Sequence, residues 1–259
     1  GLEYMAAPVD ATFIVVLGLL VGSFINVCIH RIPLKLSVLR PRSHCPLCKQ
    51  GIKWHDNIPI VGYLVLGGRC RHCLQPISLV YPAVELVTPL LFLLVYQRGE
   101  PEQLLIARLL FTSVLIVLFV TDLRHHILPN TITIPCICIG LISACFYPPG
   151  LVNSLLGVIV GACSLLVISR LYYFVRGEDG VGLGDVKLLA MIGAFLGWPA
   201  VLGILLCASI LGSIVGMGLV MFCGANGRST LPFGSFLAFS SIVFTLVDAP
   251  LFTWYSAFY

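Results

Sequence analysis

Charge is what this sequence has least of: Asp, Glu, Lys and Arg make up only 10% of its residues. Soluble globular domains carry about 25%, so that class is excluded. The apolar runs lack polar alternation, which excludes the strands of a membrane barrel. No internal repeat or low-complexity tract is visible in the sequence. What is present is apolar: 59% of the 259 residues are hydrophobic, and several runs approach the ~20 residues needed to cross a bilayer. The first run, from Ala11, has no basic region before it and no small-residue cleavage site after it. It reads as a retained helix and not as a signal peptide.

These features predict an all-α polytopic membrane protein. Eight spans are expected, near 11–30, 81–97, 103–122, 127–147, 151–174, 185–199, 201–223 and 233–248. Three segments follow: 1–30 as an N-terminal stretch with the first helix, 31–80 as a polar domain, and 81–259 as a helical core. Lys and Arg give the orientation. Eight fall in 31–80: Arg31, Lys35, Arg40, Arg42, Lys49, Lys53, Arg69 and Arg71. If that segment is cytoplasmic, Arg124, Arg170, Arg176, Lys187 and Arg228 also fall at cytoplasmic ends, leaving only Arg98 and Arg108 toward the outside. An even number of spans with both termini outside satisfies this pattern. The basic residues of 31–80 are explained by this bias and by attraction to anionic lipid, with no nucleic-acid partner required.

The polar segment holds Cys45-Pro46-Leu47-Cys48 and Cys70-Arg71-His72-Cys73, with 21 residues between the pairs. About 50 residues is too few for a robust core alone, so a staple is expected. Two Cys-x-x-Cys pairs at this separation fit a tetrahedral zinc site of four thiolates. Disulfides or a redox pair are the alternatives, and a cytoplasmic location argues against persistent disulfides. Lys49, Arg69 and Arg71 beside the thiols are expected to favour the metal-binding thiolate. The other seven cysteines lie in or near spans and read as packing residues.

Two aspartates stand where apolar runs end. Asp122 follows Phe119-Val120-Thr121, and Asp185 lies in Gly180-Val181-Gly182-Leu183-Gly184-Asp185-Val186-Lys187. Ionisable groups in membrane helices mark functional sites. The third span runs inward to Asp122 and the sixth runs outward from Asp185. Both carboxylates then lie at one membrane face, and they meet if those helices pack together. Such a pair shares a proton, so that one member acts as base and the other as acid on a water and a peptide carbonyl. Gly182 and Gly184 would let a peptide backbone approach Asp185. The bland alternative is that Asp185 caps a helix and Asp122 pairs with Arg124. Lys187 reads as a surface-reaching side chain and Asn130 as a helix start. The Leu231-Pro232-Phe233-Gly234 turn is explained by Pro at a helix start, with a site-lining role as the sharper reading.

Taken in order, these motifs resemble the bacterial type IV prepilin peptidases, membrane aspartic proteases of the GxGD type. The resemblance covers most of the chain. It rests on Gly22-Ser23-Phe24-Ile25-Asn26-Val27 with Arg31-Ile32-Pro33, on Ser43-His44-Cys45-Pro46-Leu47-Cys48, on Trp54-His55-Asp56-Asn57-Ile58-Pro59, and on Gly68-Arg69-Cys70-Arg71-His72-Cys73 with Tyr81-Pro82-Ala83-Val84-Glu85-Leu86. Thr121-Asp122 with Leu128-Pro129-Asn130, Gly182 through Ala190, and Leu231-Pro232-Phe233-Gly234 complete it. His55 departs from the Tyr common at that place.

The resemblance implies a catalytic pair, Asp122 and Asp185; Gly182, Gly184, Lys187, Pro232, Phe233 and Gly234 are the candidates for lining the substrate site beside it. It implies structural zinc on Cys45, Cys48, Cys70 and Cys73, and prepilin or pseudopilin substrates cut after a glycine at the cytoplasmic face of the bacterial inner membrane. It also implies N-methylation of the new terminus with S-adenosylmethionine, although no Rossmann methyltransferase fingerprint is present. A proton-coupled transporter relaying protons through the aspartates is the rival reading; repeated halves would favour it.

Overall fold

Helices account for the regular elements of the described residues, which in this computed structural model are 10–177, 182–223 and 231–256. Gly180, Val181 and Arg228 lie outside them. The chain divides into two compact units, residues 1–117 and 118–259.

The first unit begins with α1 (Ala11–Arg31), whose first turn is capped by the Asp10 side chain accepting from the Thr12 N–H at 3.1 Å. It packs on α3 (Val80–Tyr96). Without a hydrophobic drive between helices in lipid, close backbone approach holds such pairs. Gly18 supplies it, since a Cβ there would collide with the Pro89 backbone. At the polar end, Asn26 Nδ2 donates to the Tyr81 carbonyl at 3.0 Å. The buried Arg31 guanidinium donates to the carbonyls of Ser37 and Val38 at 3.0 and 3.4 Å and of Arg42 at 3.4 Å, fixing how the chain leaves the helix. Between α1 and α3 lie the cysteine segment, a 3-10 turn (Trp54–Asn57) and the short α2 (Val61–Val65). Glu85 Oε2 accepts from the Ile60 N–H at 2.7 Å, tying α3 to that segment.

Helix α4 (Glu102–His125) runs across the boundary of the units. In the second unit follow α5 (Asn130–Ala144), α6 (Leu151–Arg176), α7 (Leu183–Cys223) and α8 (Phe233–Ser256). The expected sixth and seventh spans are the two helical halves of α7, which meet at a kink at Gly197, where φ is +78° and ψ is 171°. Pro199 follows, and proline removes a helical donor, so the helical path breaks there and resumes. Helix α7 is the centre of this unit: α5, α6 and α8 all pack on it. Its residues Leu188, Leu189, Met191, Ile192 and Ile204 are fully buried. The α6–α7 crossing is backbone on backbone, because a Cβ at Gly157 or Gly193 would strike the other's carbonyl.

The outward faces carry large apolar side chains, among them Phe13, Leu20, Ile159 and Leu206. In water that pattern would mark an interaction surface; on helices of this length and hydropathy it is the lipid-facing side of a multi-pass membrane protein. Helices α1, α4, α6 and α7 are each long and apolar enough to span a bilayer. Helices α3 and α5 are shorter apolar helices.

Candidate active site and metal centre

The cysteine segment is built from one turn used twice. Cys45 N–H donates to the Gln50 carbonyl at 2.9 Å, Lys49 N–H to Cys45 O at 2.9 Å, and Ile52 N–H to Ser43 O at 2.9 Å. Twenty-five positions on, Cys70 N–H donates to Gln75 O at 2.9 Å, Leu74 N–H to Cys70 O at 3.0 Å, and Ile77 N–H to Gly68 O at 2.7 Å. Lys49 and Leu74 both take left-handed φ values, 60° and 57°, and each turn is closed by a β-bridge, His44 with Gly51 and Arg69 with Pro76. The sequence therefore does contain a short repeat, Cys-x-x-Cys-x-Gln-x-Ile, faint because only these few positions match.

The two turns face each other. Cys45 Sγ lies 3.8 Å from Cys73 Sγ, and Cys48 Sγ 4.0 Å from Cys70 Sγ; all four sulfurs are within 4.8 Å of one another. Four thiolates around a tetrahedral zinc at 2.3 Å stand about 3.8 Å apart, so the donor set and spacing fit that ion. Backbone N–H groups of Cys73 and His72 pull the Cys70 thiol down to about 6, a more direct cause than the basic side chains expected to do so. Arg71 is engaged elsewhere: its Nε and a terminal nitrogen donate to Asp56 Oδ2 and Oδ1 at 2.8 and 2.6 Å, pinning the second turn to the 3-10 turn.

In the second unit the two aspartates converge on α8. Asp122 is buried in the last turns of α4, and Asp185 is half-buried in the first turn of α7. A Cβ at Gly234 would stand 3.0 Å from Asp122 Oδ2 and 3.0 Å from Asp185 Oδ1. The two carboxylate oxygens thus flank a single point, where only hydrogen occupies the residue's side-chain position. A side chain there would have to displace the Leu128 methyl or the two carboxylates.

Asp122 is held from α8 as well. The Ser235 N–H donates to Asp122 Oδ2 at 2.6 Å. First-turn N–H groups of a helix have no intrahelical partner of the ordinary kind, so a carboxylate from α4 caps α8, at the positive end of its dipole. Ser235 Oγ lies 3.0 Å from Asp122 Oδ2 and 3.2 Å from the Phe119 carbonyl. With one proton to give, this hydroxyl can donate to the carboxylate, or donate to Phe119 O while accepting from a protonated Asp122. It can therefore serve either protonation state. Ser235 escaped the sequence reading; its one signal was its place just inside a helix start, where orphan N–H groups face outward.

The remaining residues fall as follows. Asp185 is preceded in its turn by Gly182, whose carbonyl accepts the Asp185 N–H at 3.1 Å, so Asp185 is not the residue before the helix. Gly182 is exposed, and a Cβ there would stand an ordinary 3.4 Å from Asp185 Oδ2. Gly184 was expected to admit a substrate; its space is filled by the chain itself, with Leu128 Cβ and Cδ1 at 3.1 and 3.3 Å from a Cβ placed there. Lys187 Nζ donates to Asn130 Oδ1 at 2.9 Å, joining α7 to the first residue of α5. Pro232 accepts the Ser235 N–H at 3.1 Å and shapes the first turn of α8. Phe233 lines an open, largely apolar cavity of about 630 Å³ between α7 and α8, with Gly212, Gly216, Met217 and Phe236.

Residues 16–98 match the Bacterial Peptidase A24 N-terminal domain, and residues 109–217 match the Type IV leader peptidase family. Among similar proteins, one of Myxococcus xanthus named prepilin leader peptidase/N-methyltransferase is 42% identical over 226 residues, covering 86% of this chain and 67% of the relative. Proteins of the same name from Aeromonas hydrophila and Pseudomonas aeruginosa are 36% and 34% identical, and each alignment covers 92% of this chain and 91% of the relative. No solved structure matches. Agreement of this extent across the cysteine segment and both aspartates leaves the transporter reading without support, and the chain belongs to the type IV leader peptidase family.

Proposed function

We propose that this chain is an aspartic endopeptidase that removes the leader of prepilins or pseudopilins, with Asp122 and Asp185 as its catalytic pair. The observation that carries this is the convergence of Asp122 Oδ2 and Asp185 Oδ1 on the same point beside Gly234. One carboxylate takes a proton from water as its oxygen attacks the scissile carbonyl carbon. The partner carboxylic acid gives its proton to the carbonyl oxygen. The tetrahedral adduct then collapses: the carboxyl that took the water proton gives it to the amine nitrogen as the C–N bond breaks, and its partner recovers a proton from an adduct hydroxyl as the carbonyl carbon becomes a carboxylic acid. Ser235 keeps Asp122 oriented through either state of this cycle.

The distribution of Lys and Arg supports a cytoplasmic-side location for the site in the bacterial inner membrane, with the substrate's leader in the cytoplasm and its apolar helix in lipid. Cys45, Cys48, Cys70 and Cys73 would hold a structural zinc ion, whose chemistry here is to cross-link two turns that have little core of their own. Transfer of a methyl group from S-adenosylmethionine to the new N-terminus is proposed from the names of the relatives alone, and no residue is assigned to it.

The test is mass spectrometry of a prepilin incubated with the purified protein in lipid, with and without S-adenosylmethionine, against folded Asp122→Asn and Asp185→Asn. Wild type releases the leader and both variants do not. A gain of ~14 Da on the mature product, the mass a methyl group adds in place of hydrogen, reports methylation of a catalytic product. Cleavage at the wild-type rate by either variant overturns the paired mechanism.

A further inference from the structure

The loop joining α4 to α5 brings one apolar side chain into the aspartate cleft. Leu128 Cδ1 stands 2.8 Å from the point where a Cβ on Gly234 would lie, the same point that both carboxylate oxygens approach to 3.0 Å. Its Cβ and Cδ1 also fill the space over Gly184, next to Asp185. A single leucine therefore covers the two glycines that border the carboxylates, and it remains half exposed. Its position is fixed from both sides. His126 takes a left-handed φ of 51°, which turns the chain out of α4. Pro129, at φ −66° and ψ 125°, leads into α5, whose first residue is bound to Lys187.

A peptide carbonyl attacked between these carboxylates must bring its own α-carbon, and whatever that carbon bears, into the same space. The leucine methyls already occupy part of it. We propose that Leu128 is a specificity-determining residue, limiting the side chain tolerated on the substrate residue whose carbonyl is attacked. A residue with no side chain passes; a methyl or larger group meets Leu128. This rests on the peptidase reading above.

The test uses the full-length protein in lipid and two prepilins that differ only in Gly or Ala at the residue before the cut. The quantity read is the ratio of kcat/KM on the two, which cancels any loss common to both. One methylene of steric discrimination is worth about 10- to 200-fold. The Gly-over-Ala ratio should fall at least about tenfold in Leu128→Ala, with Leu128→Val between it and wild type. An unchanged ratio, with both substrates slowed alike, shows that Leu128 only packs and overturns the proposal. If Leu128→Ala does not fold, the ratio in Leu128→Val decides in the same way. Failure of the wild-type chain to cut the Gly substrate refutes the peptidase reading, an outcome distinct from any change in the ratio.

Discussion

The cysteine segment and the aspartate cleft solve the same problem by opposite means. Each gathers side chains that are far apart in sequence. The cysteine segment does so with two copies of one local turn, each closed by its own backbone bonds, leaving four sulfurs placed where they could hold an ion. The cleft uses the ends of three long helices and a loop, held by a cap from α4 to α8 and by close glycine contacts. On the proposed function, one arrangement is completed by a ligand and the other by packing. The first should then be sensitive to metal and largely indifferent to side-chain volume, and the second the reverse.

The sharpest way to break this contrast is chemical. Asp122→Asn or Asp185→Asn should lower leader release by about 10²- to 10⁴-fold, the range for a lost general acid or base, with the metal content by elemental analysis unchanged. A matching loss of metal would show that the two regions are not independent. Next in size is metal removal. Cys45→Ser combined with Cys70→Ser, or a strong chelator, should abolish metal binding and open 43–77 to proteolysis, as ion-stapled folds do. Limited proteolysis followed by mass mapping reads this, and resistance of that segment without metal would contradict the stapling role. Volume comes third. Gly157→Leu forces α6 from α7 and should cost about 1–3 kcal/mol or more, seen as a lower Tm in detergent with metal retained.

Smaller still, Ser235→Ala keeps the N–H bond to Asp122 and loses only the hydroxyl. A hydrogen bond to a charged group is worth about 1.5–3 kcal/mol, so kcat should fall about 10- to 100-fold while KM holds. The least effect belongs to Asp56→Ala. The Arg71 guanidinium beside Asp56 holds its carboxyl below the usual carboxylate range. The pair therefore contributes fully above that range and loses its contribution only as pH falls through it. Because the Arg71 member of the pair is exposed, the Tm shift should be small, screened by salt, and absent at low pH.

Much of this was legible in the sequence, for definable reasons. Helices announced themselves because lipid demands long apolar runs, and the cysteines because metal ligation fixes residue type and spacing. The aspartates were visible because a charge at the end of an apolar run has a cost that function must offset. What stayed hidden lies in convergence. Leu128 looks like any leucine of an interfacial loop until α5, α7 and α8 surround it. Gly184 announces space without saying what fills it. Ser235 is one of many small polar residues, and only the arrival of Asp122 from another helix makes its N–H matter. The two halves of α7 are legible as two apolar runs, but their junction at Gly197 is not, because hydropathy reports the lipid and says little about how two halves are joined.

Because Asp122 caps α8, its retention answers to more than chemistry. A descendant of this chain that had lost its enzymatic role would still be under pressure to keep an acceptor at 122, since without one the N–H of Ser235 would lose the shorter of its two bonds and keep only the 3.1 Å one to the Pro232 carbonyl. An aspartate surviving there in a sequence comparison is therefore weak testimony of activity. Asparagine, whose amide oxygen can receive the same bond, is the substitution by which such a lineage could fall silent and still fold.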